Sequence, residues 1–260
     1  MAAKPTVLLT GASKGLGFAI AKILLGTFNA NVIALSRTRG PDLQALADAH
    51  GDALMAVECD VADEAALRAA VARGIDKYKA LDGVILNAGV IEPLGPIASE
   101  DTTLDQWRKH FDVNVFSLVA ALKATVPTLR KSTFGGRVVF VSSGAATGYM
   151  PTWGAYNAGK AALNSLCRTI AREEPDVTFV SLRPGMVNTA MQEQIRNRGG
   201  EAGMPPEFLG VFTGAYETGK LVDPYDAGHV VAALALRAPQ SISGDFVDWS
   251  GDACKEFRRQ

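Results

Sequence analysis

The chain has 260 residues, 48% of them hydrophobic and 20% charged, with 26 Lys+Arg against 27 Asp+Glu. A chain of this length buries roughly three-quarters of its unfolded surface, so it fits one large α/β domain or two small ones. The balanced charge argues against a dedicated nucleic-acid binder and against an acidic or basic tail, whereas 26 glycines exceed the ordinary usage of about 7% and mark places where the backbone needs them.

In chain order, an apolar, β-branched run at residues 6–10 opens a series that continues at 31–36, 53–59, 83–87, 137–142 and 177–182, with a shorter run at 244–249. The first six are nearly continuous in apolar residues, as parallel strands covered on both faces require. Helical patterns lie between them, at 16–28, 41–50, 63–78, 104–131, 155–174 and 226–237. Strand–helix alternation predicts a single α/β domain over residues 1–260. Its core would be a doubly wound, Rossmann-type parallel sheet of about seven strands with helices on both faces. The segment 188–224 breaks the pattern with six glycines between Gly199 and Gly219 and the pair Pro205-Pro206. It reads as a lid over a substrate, because it also carries Phe208, Phe212 and Tyr216.

No apolar stretch near residues 1–3 leads to a cleavage site, and no run approaches the roughly 20 apolar residues of a membrane helix. Residues 257–260 carry no prenylation or peroxisomal signal. The expectation is a cytoplasmic protein with no membrane or nucleic-acid partner. Cys59, Cys167 and Cys254 are far apart and read as reduced thiols. The histidines His50, His110 and His229 are scattered, and no His/Cys cluster has zinc spacing, so no metal is expected.

The first strand runs into Thr10-Gly11-Ala12-Ser13-Lys14-Gly15-Leu16-Gly17 at the start of a helix. Glycines there let the backbone turn tightly and approach a pyrophosphate, which the helix N-terminus attracts with free N–H groups. The spacing is G-x-x-x-G-x-G and differs from the general G-x-G-x-x-G fingerprint. Arg37 follows the second strand, about 20 residues past the last loop glycine, where an NAD site places an acid. No acid occurs at 35–39; Lys14 and Arg37, with Arg39 nearby, would instead surround a 2′-phosphate, which favours NADP(H).

Tyr156 and Lys160 share a helix face at i and i+4. Ser143 ends the fifth strand and Asn114 lies within the preceding long helix, in Asp112-Val113-Asn114-Val115. With these residues in order, the sequence resembles the short-chain dehydrogenase/reductase family over nearly its whole length. The resemblance implies a catalytic Asn114, Ser143, Tyr156 and Lys160, with Ser142 a neighbouring competitor for the serine role. It implies a cofactor site made by the glycine loop (Gly11, Ser13, Lys14, Gly15, Leu16, Gly17), Arg37, the adenine-contacting Asp60 with Val61, and the Asn87-Ala88-Gly89 turn. Tyr156, Lys160, Pro184, Gly185, Val187 and Thr189 would complete it. The C-terminal Ser243-Gly244-Asp245-Phe246-Val247 adds to a resemblance with the benzil-reductase and sepiapterin-reductase-like branch.

The implied reaction is NADPH-dependent reduction of a ketone or diketone, bulky or aromatic. A free tyrosine has a pKa near 10, so proton donation calls for stabilisation of the phenolate by Lys160⁺ and the oxidised nicotinamide. Ser143 would hold the carbonyl oxygen. Met150, Trp153, Met186, Met191, Phe208, Phe212 and Tyr216 are expected to border the substrate cleft. Two other readings stay open, an NAD-linked alcohol dehydrogenase of the same fold and a non-catalytic NADP(H)-sensing protein. The resemblance further implies a homodimer or homotetramer built through the two long helices, with Val119, Leu122, Val126, Ala158, Ala161, Ala162 and Leu166 on the paired faces.

Overall fold

The computed structural model describes residues 4–259. The expectations for residues 1–3 and for Gln260 lie outside the described residues. Strands β1 (Thr6–Thr10), β2 (Asn31–Ser36), β3 (Leu54–Glu58), β4 (Gly83–Leu86), β5 (Gly136–Val141), β6 (Val177–Arg183) and β7 (Phe246–Asp248) form one sheet in the order β3-β2-β1-β4-β5-β6-β7. Every pairing is parallel. The chain works outward from β1 to β3, then crosses to β4 on the other side of β1. The order therefore reverses between β1 and β4, and a crevice opens beyond their C-terminal ends.

Alternate strand residues feed two separate cores. Val7, Leu9, Val139, Val141, Val180 and Leu182 point to one face, where they meet α1 (Gly15–Gly26), α2 (Pro41–His50) and α9 (Pro224–Arg237). Leu8, Ile33, Val138, Phe140 and Phe179 point to the other, against α3 (Glu64–Tyr78), α5 (Ser117–Leu129) and α6 (Gly154–Glu173). Each fully buried Leu, Ile or Phe contributes about 1.5–3 kcal/mol, which fixes the register because a one-residue slip would send each side chain to the wrong face.

The predicted helix at 104–131 is two helices, α4 (Leu104–Phe111) and α5, joined by a π-helical turn over Asp112–Phe116. Thr103 starts α4 with a capping box, its Oγ1 accepting from Gln106 N while Gln106 Oε1 accepts from Thr103 N. The combined helix Leu104–Leu129 is long and apolar enough to cross a membrane by length and composition, but more than half of its apolar stretch is buried against the sheet and its neighbours. Leu122 and Val126 belong to that buried side, so they cannot serve on a subunit face as expected. Ala158, Ala161 and Phe116 are exposed instead.

Segment 188–224 is also more ordered than its composition suggests. It contains α7 (Ala190–Arg198) and α8 (Pro206–Glu217). Pro206 does not break α8; it occupies the first turn, where a missing N–H costs nothing. Gly210 and Gly214 sit where no atom would touch an added Cβ, so they weaken the helix by about 1 kcal/mol each without preventing it. The hairpin closes a third apolar cluster, in which Ile195, Met204 and Phe212 pack on Ile91, Trp153 and Tyr156.

Candidate active site

At the C-terminal ends of β1 and β4 a single cleft of about 1030 Å³ runs from the glycine loop to the α7–α8 hairpin. Thr10 ties its floor together, since Oγ1 accepts from both Asn87 N and Ala88 N at 3.0 Å. The Asn87 amide donates back to Thr10 O and Gly11 O at 3.0 and 3.2 Å. Asn87 therefore spends its side chain on holding the glycine loop. Gly17 packs so closely on the same loop that a Cβ would lie 2.1 Å from Gly11 O. Gly11 itself has φ of +71°, which side-chain-bearing residues rarely adopt. Gly11 and Ala12 donate their N–H groups to Leu35 O at 2.8 and 3.2 Å, so the groups suited to an anion are those of the first turn of α1, which have no partner within the helix.

The expected cofactor residues all line this cleft: the glycine loop, Arg37, Asp60, Val61, Asn87, Ala88, Gly89, Tyr156, Lys160, Pro184, Gly185, Val187 and Thr189. Lys14 and Arg37 are exposed at its mouth. Arg39 does not join them: its backbone N–H donates to Glu58 Oε1 at 3.1 Å, and its side chain is absent from the cleft wall. Thr189 covers the glycine loop from the opposite wall, where a Cβ on Gly15 would meet its Cγ2 at 3.2 Å.

The catalytic end forms where β5 meets α6. Ser143 follows β5 and lines the cleft beside Tyr156. Ser142 also borders the cleft, but its hydroxyl donates to Asn164 Oδ1 at 2.7 Å within the core. Tyr156 and Lys160 lie on the buried side of α6, and Lys160 Nζ donates to Val141 O at 2.7 Å. The ammonium stands 5.6 Å from the Tyr156 ring centre. Desolvation depresses Lys160 to about 8. The same burial pushes the Tyr156 phenol up, and hydrogen bonding with Ser143 opposes it only in part. In the protein alone burial dominates the phenol, so the phenolate stabilisation expected for proton donation depends on the oxidised nicotinamide as well as on Lys160.

Asn114 is the exception among the expected catalytic residues, since it does not line the cleft. The π-helical turn sets it one layer behind, 2% exposed, with Oδ1 accepting from Val90 N at 2.9 Å and Nδ2 donating to Val90 O at 2.7 Å. The same Nδ2 donates to His110 Nε2 at 2.7 Å, and His110 Nδ1 meets Glu92 O at 2.6 Å. A carbonyl can only accept and an amide NH₂ can only donate, so the imidazole is neutral with its proton on Nδ1. His110 was invisible among scattered histidines, although its i, i+4 relation to Asn114 would have placed both on one helix face.

Of the expected substrate residues, Met150, Trp153, Met186, Met191 and Phe212 line the cleft. Phe208 packs behind it, against Tyr149, and Tyr216 lies outside, covered by the Arg196 guanidinium at 3.9 Å. Tyr149, Ile91 and Gln192 line the cleft without having been anticipated. Trp153 stacks edge-on to Tyr156 with ring centres 5.5 Å apart and packs on Phe212 at 5.2 Å.

The profile of the short chain dehydrogenase family matches residues 5–199. An uncharacterized oxidoreductase of Schizosaccharomyces pombe is 41% identical over 247 residues, covering 95% of this chain and 97% of the relative. A benzil reductase ((S)-benzoin forming) of Saccharomyces cerevisiae is 37% identical over 253 residues, covering 95% and 96%. The crystal structure of a short chain dehydrogenase/reductase from Saccharomyces cerevisiae superimposes with a TM-score of 0.93 at 33% identity, covering 98% of this chain and 100% of that one.

Proposed function

The chain belongs to the short-chain dehydrogenase/reductase family, and on that premise we propose that it is an NADPH-dependent carbonyl reductase, with Tyr156 as the proton donor to a ketone or diketone. The observation that carries this reading is the convergence of Ser143, Tyr156 and Lys160 on one end of the cleft whose other end is the glycine loop.

The residues present fit a dinucleotide. The first turn of α1, whose N–H groups have no partner within the helix, suits a pyrophosphate, and Asp60 and Val61, which line the cleft, would contact the adenine. Lys14 and Arg37, with no acid at 35–39, favour a cofactor carrying a 2′-phosphate. Bound there, the nicotinamide cofactor supplies the hydride. Ser143 and Tyr156 would hold the substrate's carbonyl oxygen between their hydroxyls. As that oxygen gains negative charge, Tyr156 would give it a proton; burial keeps the phenol protonated, the form a donor needs. Lys160, anchored on Val141 O, would compensate the charge left on the phenol. Asn114 would act from behind, by fixing the Val90 backbone.

The substrate end favours a bulky, apolar ketone, since Trp153, Phe212, Met150, Met186 and Met191 offer aromatic and flexible apolar surface. A relative that reduces benzil supports vicinal diketones as the class to try first. We further propose that α7 and α8 act as a lid, that the exposed Ala158, Ala161 and Phe116 pair two copies of the chain, and that the enzyme works in the cytoplasm.

An NADPH-oxidation assay against ketones, diketones, quinones and pterins tests the reading. Turnover of aromatic diketones with NADPH, and slower turnover with NADH, is the expected result. Faster reduction of NAD⁺ by alcohols would favour an NAD-linked dehydrogenase, and tight NADPH binding without turnover of any carbonyl would favour a sensing protein.

A further inference from the structure

Among the buried titratable side chains that the proposed chemistry leaves unused, His110 touches three parts of the catalytic end at once. His110 is 1% exposed and lies on α4, one turn before Asn114. Its Nδ1–H donates to Glu92 O and its Nε2 accepts from Asn114 Nδ2, at 2.6 and 2.7 Å. The ring edge also meets Tyr156, with centres 6.2 Å apart. Gly159 of α6, between Tyr156 and Lys160, leaves room for the imidazole: a Cβ there would lie 3.1 Å from His110 Nε2.

Resting on the reductase reading above, we infer that His110 is a positioning residue for the reaction: it locks the Asn114 amide, and through it the backbone beside Lys160, in place. Asn114 has two amide hydrogens, one given to Val90 O and the other to His110 Nε2, while Oδ1 takes Val90 N–H. Without the histidine acceptor, one hydrogen of a buried amide loses its partner, and the side chain is free to rotate or tilt. The movement reaches the cleft through Gly89. A Cβ on Gly89 would sit 3.1 Å from Asn114 Oδ1 and 3.9 Å from Lys160 Nζ, so the two polar groups face the same narrow space. The Glu92 end of the network is held as well, since the Glu92 carboxylate pairs with Arg198 of α7.

Protonation has a defined consequence. A second proton on the ring goes to Nε2, which then confronts the Asn114 NH₂ group, donor against donor. Lys160 and Tyr156 approach from α6, Glu92 presents its carbonyl while its carboxylate turns to Arg198, and Lys109 and Asp112 flank the residue on its own helix. Burial lowers the His110 pKa, the hydrogen bond to Glu92 O partly opposes it and the Lys160 charge adds to the lowering, so the neutral, connected form extends below the ordinary histidine range.

The test pairs His110→Leu, which removes both hydrogen bonds, with His110→Gln, whose amide can both donate and accept. For the Leu variant kcat should fall about 10-fold, the value of one ordinary hydrogen bond, with KM for NADPH nearly unchanged; the Gln variant should recover most of the loss. Wild-type kcat should decline in acid below pH 6.5, and that limb should vanish in both variants. Histidine ¹⁵N NMR of the wild type, which needs no substrate, should show a neutral Nδ1–H tautomer at pH 7 and a pKa below 6.5. An Nε2–H tautomer, or a Leu variant with wild-type kcat and an intact acid limb, would overturn the inference. Absence of carbonyl reduction by the wild type would defeat the reductase reading instead, while the NMR result still decides what His110 holds. Should the Leu variant fail to fold, the Gln variant and the NMR titration carry the decision.

Discussion

The two ends of the cleft are built by different means. At the glycine-loop end, backbone packs on backbone: a Cβ on Gly17 would strike Gly11 O at 2.1 Å, and Thr10 and Asn87 stitch β1 to β4 with four hydrogen bonds of 3.0–3.2 Å. At the hairpin end, side chains pack on side chains, and a Cβ added to Gly210 would meet nothing within 4 Å. Polar atoms there are also left over, since Trp153 Nε1 and Gln192 Oε1 are buried without partners. Backbone-on-backbone geometry tolerates almost no substitution and suits an invariant ligand. A cluster of aromatic and methionine side chains can be repacked, which suits a surface that sets substrate preference.

The largest effect should come from breaking the tight end. Gly17→Ala forces the loop apart, and a displacement near 1 Å at a positioned ligand costs on the order of 100-fold, so KM for NADPH should rise by about that factor. Arg37→Glu leaves the loop intact and replaces an attraction for a 2′-phosphate with a repulsion. A charge-assisted hydrogen bond contributes about 1.5–3 kcal/mol, so NADPH should bind roughly 10–100-fold more weakly while NADH is little affected. Equal losses for the two cofactors would remove the case for NADP(H).

A smaller effect concerns the junction of the two ends. Lys160 has a folded-state pKa of about 8, below its ordinary 10.5. Between those values the unfolded chain binds more protons, so the stability of the ligand-free protein gains from this residue as pH rises from about 8 towards 10.5. The gap in Tm between wild type and Lys160→Met should therefore move in the wild type's favour across that window; a gap independent of pH would contradict the buried, depressed lysine. The smallest effect belongs to the loose end. Gly210→Ala, in an exposed helical position with open space for the methyl group, should raise stability by about 0.5–1 kcal/mol and leave NADPH binding unchanged.

The same contrast explains what could be read in advance. The sheet was legible because each strand is a short continuous apolar run, and the glycine loop because its constraint acts between residues close in sequence. Arg37 is legible as a charge at the end of β2, whereas the absence of Arg39 from the cleft wall is a matter of three-dimensional packing. The π-helical turn at Asp112–Phe116 has no signature of its own in the residue spacing, and Asn114, expected among the catalytic residues, stands behind the cleft wall. The hairpin was misread because glycine and proline were weighed as breakers, although Pro206 starts a helix and Gly210 lies on an open face. Phe208 and Tyr216 are expected at the cleft only from the segments they lie in; their actual partners, Tyr149 and Arg196, come from the packing of neighbouring elements.

The central claim is that Tyr156 delivers the proton in carbonyl reduction, and Tyr156→Phe tests it most directly, because the change removes one hydroxyl from a buried ring and leaves its contacts with Trp153 in place. The variant should bind NADPH with the wild-type dissociation constant, measured by fluorescence, while kcat with an aromatic diketone falls by roughly 10²–10⁴, the usual contribution of a general acid. A Tyr156→Phe enzyme that reduces the diketone at near the wild-type rate would contradict the account.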